Sequence, residues 1–474
     1  MRVLFATSEV APWSKTGGLA DVSAGLPEAL TSLGVEVTVV SPRYGLVEPG
    51  RRGLVPADGV SPFTVDVGGS PYTATILAAP RTGGPVHWFV DNDDLFGRPG
   101  IYGEDGDDYP DNAVRYRFFA DAVRRLARIV GADRIHCNDW QTGLVPWLER
   151  RAEDRIPTVM TVHNMAFHGQ FPLEMAARVG LPVADLDDAG PVAWGKLNYL
   201  KGGLLAADRL TTVSRGYAEE ILTEEFGCGL DPVLRSRAGV LVGITNGADL
   251  REWDPAVDEL LPATYSSTDL SGKEICRREL IAMAGLGGEP THPVIGMVGR
   301  LTEQKGLDLV VPAMDAIVEM GFSLVVLGTG QEEYELPLQA ATLRHPGRVS
   351  VMIRYSNDLA HLIEAGADFF LMPSRFEPCG LNQMYSQIYG TPPVVHSVGG
   401  LVDTVVDAAD GGEPTGFKFQ GYRRAEMLDA LGRALELYRN PRALAGMRRA
   451  GMRRDISWTA PAKEYIDLYE AIQR

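Results

Sequence analysis

Four side chains stand where they could bind an anion and act on charge that develops beside it: Lys15, Arg300, Lys305 and Glu377. Lys15 lies just ahead of Gly17-Gly18, and Arg300 and Lys305 flank a loop that ends at Gly306. Paired glycines let a backbone approach a ligand closely, and a fixed cation beside exposed helix amides suits a phosphate. Taken alone, the Lys15 loop reads more readily as an ordinary solvent-exposed lysine in a flexible loop, because it is neither a P-loop nor GxGxxG. Glu377 lies in the loop Ser374–Gly380, between the apolar run Phe369–Met372 and apolar positions at helical spacing, Leu381, Met384, Tyr385 and Ile388. A carboxylate there either complements a helix dipole or faces a developing positive charge.

A second chemistry is open at Asp91 and Asp93. This D-x-D pair follows the apolar run Val86–Val90 and could hold a divalent cation on a diphosphate; acidic pairs after strands also serve as plain turn formers. His163 follows the run Thr158–Val162, and Asp139 and Trp140 follow Arg134–Cys137, so both groups fall just past a strand. Sugars stack on aromatic faces, but large aromatics fill cores more often. Of the five tryptophans in the first half (Trp13, Trp88, Trp140, Trp147 and Trp194), only Trp140, within the motif Asn138–Gly143, is a candidate.

The elements that must position these groups form two α/β series. In the first, strands at Val3–Ser8 and Val35–Val40 enclose a helix over Leu19–Leu33, and Leu241–Ile244 closes the series. In the second, strand Val294–Val298, helix Leu307–Met320, strand Ser323–Leu327 and the unit around Glu377, ending in strand Pro393–Val395, repeat the pattern. Thr245–Pro293, rich in Gly, Pro and polar residues with a helical patch near Lys273–Met283, reads as the connection. Gly17-Gly18-Leu19-Ala20-Asp21 is echoed by Gly399-Gly400-Leu401-Val402-Asp403, one Gly-Gly turn in each half. The expected fold is α/β, with two Rossmann-like, doubly wound domains at 1–245 and 246–456, and a closing helix over Ser457–Gln473 within a terminal segment at 457–474. In open sheets of this kind ligands bind past the carboxyl ends of the strands, where all the candidate residues fall.

The 474 residues exceed what one hydrophobic core holds, roughly 250–300 residues, and the 45% hydrophobic share fills two. A net charge of −17 argues against nucleic acid and anionic membrane as partners, so an anionic substrate must be met by local cations. Cys137, Cys228, Cys276 and Cys379 are scattered without metal-ligand spacing, which fits a reducing cytoplasm. No signal-peptide pattern opens the chain and no apolar run reaches the ~20 residues of a membrane span. The expected localisation is cytoplasmic.

Several motifs carry a resemblance to a known family. PSRFEPCGL (Pro373–Leu381), KTGGLADV (Lys15–Val22), NDWQTG (Asn138–Gly143), TVHNMAFHG (Thr161–Gly169), VGRLTEQKG (Val298–Gly306) and SWTAPAKEY (Ser457–Tyr465) are similar, in register along almost the whole chain, to bacterial glycogen synthases and plant starch synthases. The resemblance implies a retaining hexosyltransferase that moves glucose from ADP-glucose to the non-reducing end of an α-1,4-glucan or maltooligosaccharide. It implies no cofactor and no metal, with the two domains facing across a cleft and the last helix packing back on the first domain. Residue by residue, Lys15 and Gly18 match the loop that contacts donor phosphate. Arg300 and Lys305 match the cations on the diphosphate, and His163 matches the histidine near the transferring glucose. Asp139 and Asn246 match the sugar side, and Glu377 matches the essential carboxylate. The amides of Cys379, Gly380 and Leu381 match the helix end that faces the sugar.

The chain also departs from the pattern. Tyr385 stands where broader transferases of this architecture have a second glutamate, as it does in the synthase branch. Asn382, Val398 and Ala248 replace more usual residues. A UDP-glucose donor, a phosphorylated-disaccharide product and a catalytically silent glucan-binding homologue are the alternatives. Tyr385 argues against the disaccharide product, and the intact Lys15, Arg300, Lys305 and Glu377 argue against silence.

Overall fold

Runs such as Val3-Leu4-Phe5-Ala6 and Phe369-Phe370-Leu371-Met372 are buried at every position. Strands without alternation are covered on both faces, as in parallel sheets flanked by helices. The structure, a computed structural model, describes residues 1–81, 83–287 and 292–472. It divides into two compact units, Met1–Gly247 with Trp458–Arg474, and Ala248–Ser457. Among the described residues no helix is long and apolar enough to cross a membrane.

The first unit is built on ten strands: β1 Arg2–Ala6, β2 Glu36–Pro42, β3 Val55–Pro56, β4 Phe63–Val67, β5 Ser70–Ala78, β6 Val86–Asp91, β7 Arg134–Asn138, β8 Thr158–Val162, β9 Arg209–Thr212 and β10 Leu241–Gly243. The order across the sheet is β10-β9-β8-β7-β1-β2-β6-β5-β3, with β4 on β5. From β10 to β6 every pairing is parallel, and antiparallel strands extend only the far edge. Chain order reverses direction between β1 and β7, which makes their carboxyl ends a topological switch point.

Helix Gly18–Ser32 covers β1 through Val22, Leu26 and Leu30, which share a core with Val3 and Phe5. The last helix, Thr459–Glu470, lies against it within the same unit, placing Trp458, Ala462, Tyr465 and Tyr469 in one core with Leu26 and Leu30. Gly25 permits that approach, since a Cβ there would fall 2.2 Å from Trp458 Nε1.

The second unit has β11 Val294–Val298, β12 Ser323–Gly328, β13 Val349–Ile353, β14 Phe369–Met372, β15 Pro393–His396 and β16 Phe417–Phe419. Their order is β13-β12-β11-β14-β15-β16, all parallel. This is the doubly wound Rossmann order, and its switch point lies between β11 and β14. The expected fold class, two doubly wound α/β domains, is what the chain adopts.

Details differ from the sequence expectation. The helix expected over Leu307–Met320 is split into Leu307–Val310, a tight turn Val311–Ala313 and Met314–Glu319. Pro312 has no N–H to continue the ladder. β1 ends at Ala6, and Ser8 lies beyond it in the loop. Much of the stretch read as a connection belongs to the second unit. Helix Ser271–Met283 is anchored there by Lys273, whose Nζ donates to Ala365 O (2.7 Å), Tyr389 O (3.0 Å) and Thr391 Oγ1 (2.6 Å). Residues 288–291 of that stretch, and Gln473 at the end of the expected last helix, lie outside the described residues.

Candidate active site

In the first unit the loops after β1, β7 and β8 meet at the carboxyl edge beside the switch point. The β1 loop is organised by Glu9, which the sequence reading did not single out. Its buried carboxylate accepts from Thr16 N (2.5 Å), Thr16 Oγ1 (2.7 Å), Gly17 N (3.2 Å) and Tyr102 Oη (2.6 Å). Two amides just before the helix are thereby turned to Glu9, so an anion here would draw on the helix amides from Gly18 onward and on Lys15. Lys15, half-exposed, reaches Asp21 on the first helical turn at 2.6 Å. A Cβ on Gly17 would meet nothing within 4 Å, which leaves the backbone face open.

The β7 and β8 ends are tied to each other. Asp139 adopts left-handed backbone, φ +56, and its Oδ1 accepts from His163 N at 2.7 Å. Asn138 Nδ2 donates to Ala6 O (2.9 Å), which directs Asn138 Oδ1 at His163 Nε2 (2.9 Å). This arrangement puts the imidazole proton on Nε2 and a lone pair on Nδ1. Burial pushes His163 down to about 3, so the ring is neutral at neutral pH. Burial lifts Asp139 to about 7, with nearby Glu9 adding to the rise.

Beneath them His136 bridges Tyr469 Oη and Thr161 Oγ1, both at 2.6 Å, joining the last helix to the sheet. Trp140 packs edge-on against Tyr116 and Phe171. Asn246 is 6% exposed, and its Oδ1 is buried without a hydrogen-bond partner among the described residues. A buried orphan acceptor of this kind calls for an explanation, and a ligand hydroxyl would supply one.

In the second unit the loops after β11 and β14 lie on one another. Gly306 has φ +77, and a Cβ there would fall 2.1 Å from Pro373 O, so only glycine fits this crossing. The close approach brings Lys305 Nζ to Glu377 Oε2 at 2.6 Å, where Ser374 Oγ also donates at 2.9 Å. Glu377 is 5% exposed. Its backbone carbonyl accepts from Gly400 N (3.0 Å), and a Cβ on Gly400 would fall 2.2 Å from Cys379 O. The glycine turn after β15 thus clamps the Glu377 loop from its other side.

Gln383 Nε2 donates to Cys379 O (3.0 Å) and Gly380 O (2.9 Å), ahead of helix Asn382–Ile388 that Leu381 precedes. Asn382 Nδ2 reaches back to Val298 O at 2.6 Å, pinning that helix to the end of β11. Arg300 is exposed and donates to Gln304 Oε1 at 3.1 Å. Tyr385 is buried in a stack of rings, 3.9 Å from Trp253, which in turn lies 3.8 Å from His361.

Each unit therefore gathers its own share of the candidate residues: Lys15, Gly18, Asp139, His163 and Asn246 in the first, and Arg300, Lys305, Glu377, Cys379, Gly380 and Leu381 in the second. Asp91 and Asp93 stand elsewhere, both ion-paired to Arg43, with Asn92 capping the short helix Asp93–Phe96. Their side chains are accounted for by that pairing.

Comparison with known proteins accords with this layout. Residues 2–236 match the family model described as starch synthase catalytic domain, and residues 283–449 match glycosyl transferases group 1. The chain is 48% identical to a glycogen synthase of Anaeromyxobacter sp., with 100% of this chain and 99% of the relative covered. It is 44% identical to glycogen synthase 1 of Methylococcus capsulatus, with 99% and 96% covered. Among solved structures, the catalytic domain of starch synthase IV from Arabidopsis thaliana, bound to ADP and acarbose, superposes with a TM-score of 0.90 at 31% identity, covering 99% of this chain and 98% of that one. Sucrose-phosphate synthase from Thermosynechococcus elongatus shares the fold alone, with a TM-score of 0.61 at 20% identity, 99% of this chain and 98% of that one being covered.

Proposed function

The chain belongs to the family of bacterial glycogen synthases and starch synthases and is a hexosyltransferase; from that premise we propose that it transfers glucose from ADP-glucose to the non-reducing end of an α-1,4-glucan with retention, in the cytoplasm and without a metal or cofactor. The observation that carries this reading is the Lys305–Glu377 pair at the second switch point, a partly exposed cation against a buried carboxylate where doubly wound sheets bind ligands. The ADP in the starch synthase IV structure supports a nucleoside-diphosphate donor, and its acarbose supports an acceptor of glucose-like rings.

In this reading the bond from the sugar C1 to the β-phosphate oxygen breaks as an acceptor hydroxyl oxygen bonds to C1. The acceptor's proton passes to the departing phosphate. Negative charge builds on the diphosphate and positive charge on the sugar ring. Lys15, Arg300 and Lys305 stabilise the diphosphate, the work a metal ion does in other transferases. Lys305 has three N–H donors; one engages Glu377, and the others remain to meet phosphate. Glu377 faces the cationic sugar. Neutral His163, with its Nε2 proton committed to Asn138, adds no positive charge beside that centre. Asp139 and the orphan Asn246 Oδ1 accept from sugar hydroxyls.

The deciding experiment incubates the protein with ADP-glucose or UDP-glucose and a maltooligosaccharide and measures released nucleotide and product length. ADP release with chain extension is expected. Release from UDP-glucose alone, or none from either donor, would sink the reading.

A further inference from the structure

A small antiparallel sheet follows the His163 loop, formed by Gln170–Pro172, Lys196–Asn198 and Val192–Ala193. Its hairpin turns on two residues, Trp194 and Gly195, with φ +51 and +69. Turns with two left-handed residues favour Asn-Gly, and a bulky side chain at the first position is an outlier. Burial does not explain the tryptophan, because the residue is 57% exposed.

Nor is the ring loose. Gly229 lies so close that a Cβ there would fall 2.6 Å from Trp194 Cζ2, and the His168 imidazole stacks on the indole, 5.7 Å between centroids and 15° between planes. His168 is buried and its Nδ1 faces Asn198 Nδ2 at 3.4 Å, while Asn198 Oδ1 is committed to Lys201 N at 2.9 Å. Lys201 Nζ donates to Val192 O at 2.6 Å and fastens the hairpin. A strained turn thus holds a rigid, solvent-facing aromatic plate. The plate is continuous with the candidate site. The chain runs from His163 past half-exposed Phe167 and His168 into the same sheet, and Phe171 of that sheet packs on Trp140.

We propose that Trp194 is a stacking subsite for a glucose ring of the acceptor glucan, set apart from the loops that hold Asp139 and His163. This rests on the glucan-acceptor reading above. A pyranose offers a face of C–H groups that packs flat on an indole, whereas its hydroxyls stay in water; the nearby ammonium of Lys201 is already spent on backbone carbonyls, so the surface suits a neutral sugar better than a phosphate. The subsite gives long glucans a hold that short ones lack.

The test uses the full-length enzyme and two variants. Trp194→Asn installs the residue the turn prefers, so the hairpin is not put at risk, and Trp194→Tyr keeps a stacking ring. Binding of maltoheptaose is measured by calorimetry, together with KM for glycogen, KM for ADP-glucose and Tm. Trp194→Asn should weaken maltoheptaose binding and raise KM for glycogen roughly threefold to tenfold, the range of a single aromatic contact. KM for ADP-glucose should hold and Tm should not fall, while Trp194→Tyr should recover most of the loss. Wild-type affinity for maltoheptaose in Trp194→Asn, or a loss in Trp194→Tyr as large as in Trp194→Asn, overturns the proposal alone. A wild-type enzyme that extends no glucan overturns the functional reading and this subsite with it.

Discussion

Lys305 Nζ and Glu377 Oε2 are 2.6 Å apart, brought together from the two loops that flank the second sheet's switch point. The ammonium neutralises the carboxylate in the resting protein and keeps it in place. A donor diphosphate arriving at Lys305 would therefore meet a charge pair rather than a bare anion. In the proposed reading, this lets a glutamate stand beside a phosphate site without repelling the ligand.

Glu377→Gln tests the role that follows. It keeps the shape and one acceptor for Lys305 while removing the charge that faces the sugar. A contact made mainly in the transition state lowers kcat and leaves ground-state binding nearly unchanged. Turnover should fall by roughly 10²–10³, while ADP affinity by calorimetry stays close to wild type. Near-normal turnover would reduce Glu377 to a loop carboxylate.

Lys15→Gln probes the first unit's cation. A charge-assisted phosphate contact contributes about 1.5–3 kcal/mol. KM for ADP-glucose should rise roughly tenfold to a hundredfold, with maltoheptaose affinity retained. Loss of glucan binding with donor use intact would assign the loop to the acceptor instead.

Asp139 sets a pH dependence of stability. Its carboxyl is raised from 3.8 to about 7 by burial, so the native state binds this proton more tightly than the unfolded chain does. The stabilisation is fully present below about pH 4 and is lost as pH climbs through 7. Asp139→Asn removes the ionisation but keeps an acceptor for His163 N. The Tm of the variant should gain on wild type between pH 5 and 8, by thermal melts in matched buffers. A constant difference across that range would show that Asp139 titrates like an ordinary surface carboxylate.

The sequence pattern showed those parts of this architecture that are local. Runs such as Val3–Ala6 and Phe369–Met372 announce buried strands, and the polar residues just past them fall at both switch points. Contacts formed across long separations were not legible. Lys305 and Glu377 are 72 residues apart, and Arg43 meets Asp91 across 48, so no spacing pairs them. Glu9 carried no signal in the sequence; only the folded loop turns its carboxylate back onto Thr16 and Gly17. Trp194 was discounted as one of many aromatics, although the glycine after it already marks a turn. Pro312 was the available sign that the helix over Leu307–Met320 would break.

Metal independence is the outcome expected if the proposed diphosphate cations act as such. Transfer should persist in excess EDTA, and added Mg²⁺ should change the rate less than about twofold if Lys15, Arg300 and Lys305 supply the charge. Activity lost on chelation and restored by Mg²⁺ or Mn²⁺ would contradict this and return attention to Asp91 and Asp93.

The geometry of the Lys305–Glu377 pair depends on Gly306, and replacing it separates packing from chemistry. Gly306→Ala places a Cβ 2.1 Å from Pro373 O at a residue with φ +77. The left-handed conformation alone costs a non-glycine residue about 1–3 kcal/mol, and the clash with a backbone oxygen adds to it because neither loop has a flexible end to move aside. In a domain of this size, ~2 kcal/mol lowers the melting temperature by roughly 4–8 °C. Relief requires the Lys305 loop to move off the Glu377 loop, so kcat should fall together with stability. Gly17→Ala is the counterpart: its Cβ meets nothing within 4 Å. That variant should melt like wild type, and any effect should appear in KM for ADP-glucose, through crowding of the open backbone face. The two variants are compared by calorimetric melting and steady-state kinetics. A Gly306→Ala protein with wild-type Tm and kcat would mean that the close crossing of the two loops does not hold the Lys305–Glu377 pair.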